Sequence, residues 1–217
     1  MTAAGRGTRA NARVRSRRGE GDALREEILA AAEQLLIDTA SEEAVSIRAV
    51  ADAVGVTPPS IYRHFPDKTQ LMFWVCKTSF NRFAVVMEEA VSSGDPVTKL
   101  RSLCHAYVRY GIEHPEHYRI MFMGRYELPD EQMMDEMLSE TSSFGILLAT
   151  TRNLIAAEVL RPELAAQGEA HVGYVLWSAV HGITSLFVAK PALPWPDKEA
   201  LVESVCDTIL HGILRMP

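Results

Sequence analysis

The chain is poor in cysteine. Cys76, Cys104 and Cys206 are its only three in 217 residues, far apart and without a C-x-x-C pair. An odd, sparse set argues against a disulfide framework and for a reducing compartment. Phosphate-loop, G-x-S-x-G and H-E-x-x-H motifs are missing, so the common nucleotide, hydrolase and zinc-protease signatures are excluded. "GRGTRA" from Gly5 has the glycine spacing of a dinucleotide loop, but no strand precedes it. His114 and His117 in "HPEH" lack a third metal ligand at useful spacing. No stretch alternates apolar and polar residues with period two over a useful length, and no internal repeat is present. The basic N-terminus lacks the apolar core of a signal peptide. Val172 to Ala189 is the longest apolar run, and it carries His181, Thr184 and two serines. That predicts a buried helix in a cytoplasmic protein.

What is present is ordinary for a globular chain, 47% hydrophobic and 23% charged, with an uneven charge distribution. Residues 1–18 hold six arginines and no acid. Residues 1–77 hold 11 basic and 10 acidic side chains, a net +1, and residues 78–217 hold 11 and 18, a net −7. Such asymmetry suits a nucleic-acid-binding end joined to a separate body.

Helical spacing runs almost throughout and predicts an all-α protein of about nine helices. A flexible basic arm is expected over residues 1–21, a three-helix DNA-binding domain over 22–70 and a larger helical domain over 71–217. Helix one starts at Asp22, placed to cap it, with Leu24, Ile28, Ala32 and Leu35 on one face. Ser46 caps a second helix that stops at Gly55, and Thr57 caps a third with Pro58 at its first position. Pro66 ends that helix, and Asp67 caps a long fourth. Further on, one long helical segment is expected from Glu131 to about Leu160, bent at Gly145.

Helices two and three are separated by "VGV", the spacing of a helix-turn-helix. Ala51 and Gly55 are small at i and i+4, where steeply crossing helices approach. Val50, Val54, Val56, Ile61 and Phe65 form the expected core. Pro59, Ser60, Tyr62, Arg63 and His64 are left outside. A helix of this length, ~10 Å, can enter a major groove end-on.

The stretch "SIRAVADAVGVTPPSIYRHFPDKTQL" resembles the DNA-binding motif of the tetracycline-repressor (TetR) family, most densely over residues 24–75. The resemblance implies base readers at Arg48, Pro58, Pro59 and Ser60, with Arg63 beside them. It implies phosphate contacts from Ser46, Thr57, Tyr62, His64 and Lys68. The chemistry agrees. A guanidinium can pair bidentately with guanine, worth roughly 1–3 kcal/mol of discrimination, and a helix N-terminus such as that of Lys68 favours phosphate. The arginine-rich arm has two readings, an inert tail or a minor-groove contact.

"HPEHYRIMF" and "LWSAVHGITSL", the latter with Trp-x-x-x-His-Gly, resemble one branch of the family's C-terminal domains. The family implies a homodimeric repressor on a palindromic double-stranded operator, released by a small-molecule effector. No catalytic residue, metal or cofactor is implied. Dimerisation also follows from the residues. The penultimate helix is apolar nearly all round, with Ser178, Gly182, Ser185 and Ala189 in a small-residue stripe, and the last helix carries a broad apolar stripe from Leu201 to Leu214.

Candidate ligand-binding residues are Phe80, His105, Tyr107, Tyr110, Met121, Phe122, Tyr126, Met133, Met134, Met137, Phe144, Trp177 and His181. A Met-rich aromatic lining suits an apolar or aromatic effector; the same spacing also suits plain core. Two alternatives stay open: an activator or redox or metal sensor on the same fold, and a helical enzyme or carrier without DNA affinity.

Overall fold

The computed structural model describes residues 20–124, 135 and 139–215, and these form two compact units that divide between Val75 and Cys76. The arginine-rich arm up to residue 19, together with Tyr126, Met133, Met134 and Met137, lies outside the described residues. Ten helices occur among those described: α1 (Glu20–Thr39), α2 (Ile47–Val54), α3 (Pro58–Tyr62), α4 (Lys68–Ala90), α5 (Pro96–Glu113), α6 (Pro115–Phe122), α7 (Ser143–Ala156), α8 (Pro162–Ala165), α9 (Glu169–Ala189) and α10 (Lys198–Ile213). The count exceeds the expected nine by α8, a single turn too short for periodicity to reveal.

The first unit is built from local signals. The Ser46 hydroxyl accepts from the Ala49 N–H and caps α2, and Gly55 ends it at φ 75°. Ile61 and Phe65 from α3 and its exit, and Val50 and Ala51 from α2, are fully buried. Val54 and Val56 are only half-buried. Among the described residues a Cβ at Gly55 would meet nothing within 4 Å, so this glycine serves its left-handed backbone and not a close approach of α2 and α3. The Arg25 guanidinium lies 5.2 Å from the Phe65 ring centroid and 4.4 Å from that of Trp74. It roofs the small core with a cation–π contact.

Two expected caps differ. α1 begins at Glu20, so Asp22 lies inside it. Thr57 stands at the N-cap of α3 but makes no capping bond; its hydroxyl meets Ser60 Oγ at 3.1 Å instead. Asp67 does cap α4, accepting from the Gln70 N–H at 2.8 Å.

In the body, α5 packs against α9, α7 and α10 around one apolar core. Gly111 of α5 has a steric reason: a Cβ there would stand 2.2 Å from Thr184 Cγ2 of α9. The expected long helix from Glu131 does not run through Gly145. α7 starts afresh at Ser143, with Ser142 Oγ accepting from the Gly145 N–H at 2.8 Å. A Cβ at Gly145 would meet the Ser139 carbonyl oxygen at 2.1 Å, so the glycine admits an incoming turn and does not mark a bend. An isolated bridge, Leu160 with Leu214, ties down the end of α10.

α9 is long and apolar enough to cross a membrane by length and composition. In the fold it supplies Val172, Leu176, Val180, Thr184 and Phe187 to the body core. Its other face leaves Tyr174, Val175 and Leu186 exposed at 46, 41 and 49%.

Candidate nucleic-acid interface and the polar chain of the body

In the first unit, burial of Ile61 and Phe65 sets the rotation of α3 and turns the remaining side chains outward. Pro59, Tyr62 and Arg63 are exposed, Tyr62 at 52%, and Pro58, Ser60 and His64 are half-buried. Ser46, Arg48 and Thr57 are also exposed. The Arg63 guanidinium donates to Ser60 Oγ at 3.2 Å, which in turn meets Thr57. Three of the ten sequence-predicted residues are thus linked before any partner arrives. Lys68 is half-buried and its ammonium donates to the Glu42 carbonyl at 2.6 Å. That tether fastens the α1–α2 loop to the start of α4 and uses one of three ammonium donors. Ser46 uses an oxygen lone pair for its cap, which leaves the hydroxyl proton available.

In the body, the structure gathers Tyr107, Phe122, Trp177 and His181. Phe122 lies 6.0 Å from Tyr107, 6.3 Å from Trp177 and 5.1 Å from His181 between ring centroids. Phe80 reaches Phe122, and Phe144 reaches Trp177. Met121 and Tyr110 are buried in the same core, Tyr110 against Phe83 and His114. His105 is not in this group: its Nε2 points to α10 and lies 3.2 Å from a Glu203 carboxylate oxygen, without the alignment of a hydrogen bond.

The polar atoms form a chain within the apolar core. The Trp177 indole N–H donates to the Tyr107 hydroxyl at 3.1 Å. The Tyr107 and Tyr118 hydroxyls lie 2.9 and 2.7 Å from His181 Nδ1. Burial pushes the Tyr107 phenol up to about 12 and the Tyr118 phenol well above its ordinary range. It lowers His181 below 6.5. All three ring groups are therefore held neutral around pH 7.

Tyr118 is the residue that sequence reasoning missed. It stacks on His181 at 5.7 Å and is fully buried. Its signal was its place one turn before Phe122 inside "HPEHYRIMF", which puts both on one face of α6.

A capped α2, a tight turn and a short α3 that presents an exposed polar face define a helix-turn-helix DNA-binding protein. Residues 28–73 match the family described as "Bacterial regulatory proteins, tetR family", and residues 100–209 match "Tetracyclin repressor-like, C-terminal domain". The chain belongs to the tetracycline-repressor family of transcriptional regulators. It is 26% identical over 192 residues to the uncharacterized HTH-type transcriptional regulator YobS of Bacillus subtilis (strain 168), covering 84% of this chain and 92% of that protein. Among solved structures, a TetR family transcription regulator from Marinobacter aquaeolei VT8 superposes with a TM-score of 0.66 at 18% identity, over 92% of this chain and all of that one. NalD of Pseudomonas aeruginosa, the secondary repressor of the MexAB-OprM multidrug efflux pump, superposes with a TM-score of 0.64 at 22% identity, over 90 and 98% of the two chains. At such identities these two structures speak for the fold alone. The protein is a DNA-binding regulator and not an enzyme.

Proposed function

We propose that this regulator is a homodimeric, cytoplasmic repressor that leaves a palindromic operator when a small apolar or aromatic effector binds its body. Residues 22–70 hold the DNA and residues 71–217 dimerise and take the effector. Arg48, Pro58, Pro59, Ser60 and Arg63 face base edges; Ser46, Thr57, Tyr62, His64 and Lys68 contact phosphates. The observation that carries the effector half is the Trp177–Tyr107–His181–Tyr118 chain, a set of neutral hydrogen-bonding groups among aromatic rings. Such a site orients one polar group of an otherwise apolar molecule.

Dimerisation through α9 and α10 is supported by the exposed Tyr174, Val175 and Leu186 of α9. A Cβ at Gly182 would meet nothing within 4 Å among the described residues, so the cost of a mid-helix glycine, about 1 kcal/mol against Ala, has no steric explanation among them. Repression as the sign of regulation is favoured by the repressor-like description of the family that residues 100–209 match. An effector coupling of ~1–3 kcal/mol gives a 5–150-fold loss of operator affinity, and DNA must weaken effector binding by the same factor.

The test is to retain sheared source-genome DNA on the purified protein and sequence it, with a Tyr62→Ala, Lys68→Ala double variant as control. A recovered palindrome, with a hydrodynamic mass of two chains, supports the reading. Retention equal to that of the double variant sinks it. Effectors are then screened for release of that operator.

A further inference from the structure

The hydrogen bonds around His181 fix which of its ring nitrogens carries the proton. The Trp177 indole N–H is spent on the Tyr107 oxygen at 3.1 Å. The Tyr107 and Tyr118 hydroxyls then reach His181 Nδ1 at 2.9 and 2.7 Å. If Nδ1 held a proton it would donate to one phenol, and the Tyr118 proton would fall back on the His181 carbonyl, a long contact at 3.4 Å. A bare Nδ1 instead offers its lone pair to both phenols at short range. The neutral ring therefore has its proton on Nε2.

That Nε2–H stands on the other edge of the ring, away from the phenols. The His181 ring centroid is 5.1 Å from Phe122 and 5.6 Å from Trp177. Among the described residues no hydrogen bond is made to Nε2. Nor is it sealed. Among those residues the buried side-chain polar atom that lacks a partner is His105 Nε2, so the equally unpartnered His181 Nε2 is open to solvent. His181, Phe122 and Trp177 are all half-buried. A directed donor without a protein acceptor thus opens beside two aromatic rings.

We propose that His181 Nε2–H is the selecting group of the effector site, and that the effector presents to it an uncharged hydrogen-bond acceptor, such as a ketone, ester or amide carbonyl, on an aromatic or apolar frame. This rests on the reading of the body as an effector site. The Trp177 N–H and both phenols are already engaged, so the free polar group of the cluster is a donor. A purely alkyl ligand would strip water from that N–H and return nothing. A carboxylate would favour a second proton on the ring. The imidazolium would then donate from Nδ1 as well, and both phenols would lose the lone pair they share. Burial opposes that change, since it holds His181 below its ordinary 6.5. An ammonium would meet the positive end of the N–H dipole.

The test uses the full-length protein with isotope-labelled histidine. Long-range proton–nitrogen correlation spectra read the tautomer of each imidazole. His181 is assigned by the loss of its signals in His181→Gln or, if that variant folds poorly, by their selective shift in Tyr118→Phe. A bare Nδ1 with a protonated Nε2 is expected; a protonated Nδ1 overturns the proposal whether or not the body takes an effector. Acetophenone, isopropylbenzene, benzoate and benzylamine are then titrated in. The ketone is expected to bind about 3–10-fold more tightly than its alkyl counterpart, the span of one neutral hydrogen bond. It should also move the Nε2 signal of His181, and both charged compounds should bind more weakly than it does. Isopropylbenzene binding as tightly as the ketone, or benzoate binding most tightly, overturns the proposal and leaves the effector reading standing. Binding by none of the four sinks the effector reading and the proposal with it.

Discussion

Tyr62 of the first unit and the Tyr107–Tyr118 pair of the body are placed in opposite ways. In the helix-turn-helix unit the phenol of Tyr62 stands outside, 52% exposed, over a core that includes Ile61, Phe65 and Phe73. In the body Tyr107 and Tyr118 are 7 and 0% exposed, while the phenol of Tyr174 stands outside with the apolar Val175 and Leu186. An outward donor needs no partner within the chain, since water serves until a phosphate replaces it. An inward donor must be satisfied at once, or burial costs several kcal/mol. Hence the first unit can carry loosely held polar side chains, whereas the body must link its own into a chain ending on one imidazole nitrogen.

Substitutions can break this contrast in graded steps. The largest effect is expected from Phe65→Ala, which empties the small core at a cost of ~3–5 kcal/mol. Calorimetry should show the first unit melting early, with operator binding lost and a later transition kept by the body. A single shared transition would refute the independence of the two units. Gly111→Leu should cost the body about 3 kcal/mol through the Thr184 clash, lowering its melting temperature while the first unit's transition stays.

Arg48→Ala should leave both transitions in place, because the side chain is exposed. It should cost ~1–3 kcal/mol in discrimination between operator variants, read by competition binding. A variant that binds all operators equally weakly, with its preferences intact, would move Arg48 from base reader to phosphate contact. Lys68→Ala separates two roles. If the ammonium reaches phosphate as well as Glu42, the slope of log affinity against log salt should fall by about one. An unchanged slope assigns it to the loop tether alone.

The smallest effect is in pH. Burial holds His181 below its ordinary 6.5, so the unfolded chain takes the proton first as pH falls. The stability held by the neutral ring is complete above about pH 6.5 and declines below it, levelling once the folded ring also protonates. Melting curves between about pH 8 and about pH 5 should show this decline in the wild type and less of it in His181→Gln. Equal slopes would mean that other groups dominate.

The helix-turn-helix was legible almost in full because its signals are short-range. Ser46, Gly55, Pro58 and Asp67 act within four residues of themselves, and burying Ile61 and Phe65 fixes which side of a short helix stays outside. Where local reading failed, two chemistries competed for one residue. Gly145 read as a bend and proved a contact, Gly55 read both as a helix stop and as a contact and proved the stop alone, and Thr57 gave its hydroxyl to Ser60. In the body, periodicity marked Tyr107, Phe122, Trp177 and His181 as inward. It could not say that His105 turns toward α10, nor that Tyr118 is the second phenol on His181. Helix identity, caps and buried faces are set by interactions along one stretch of chain. The polar chain depends on how α5, α6 and α9 cross, through contacts between residues 63 to 74 positions apart whose register only packing decides.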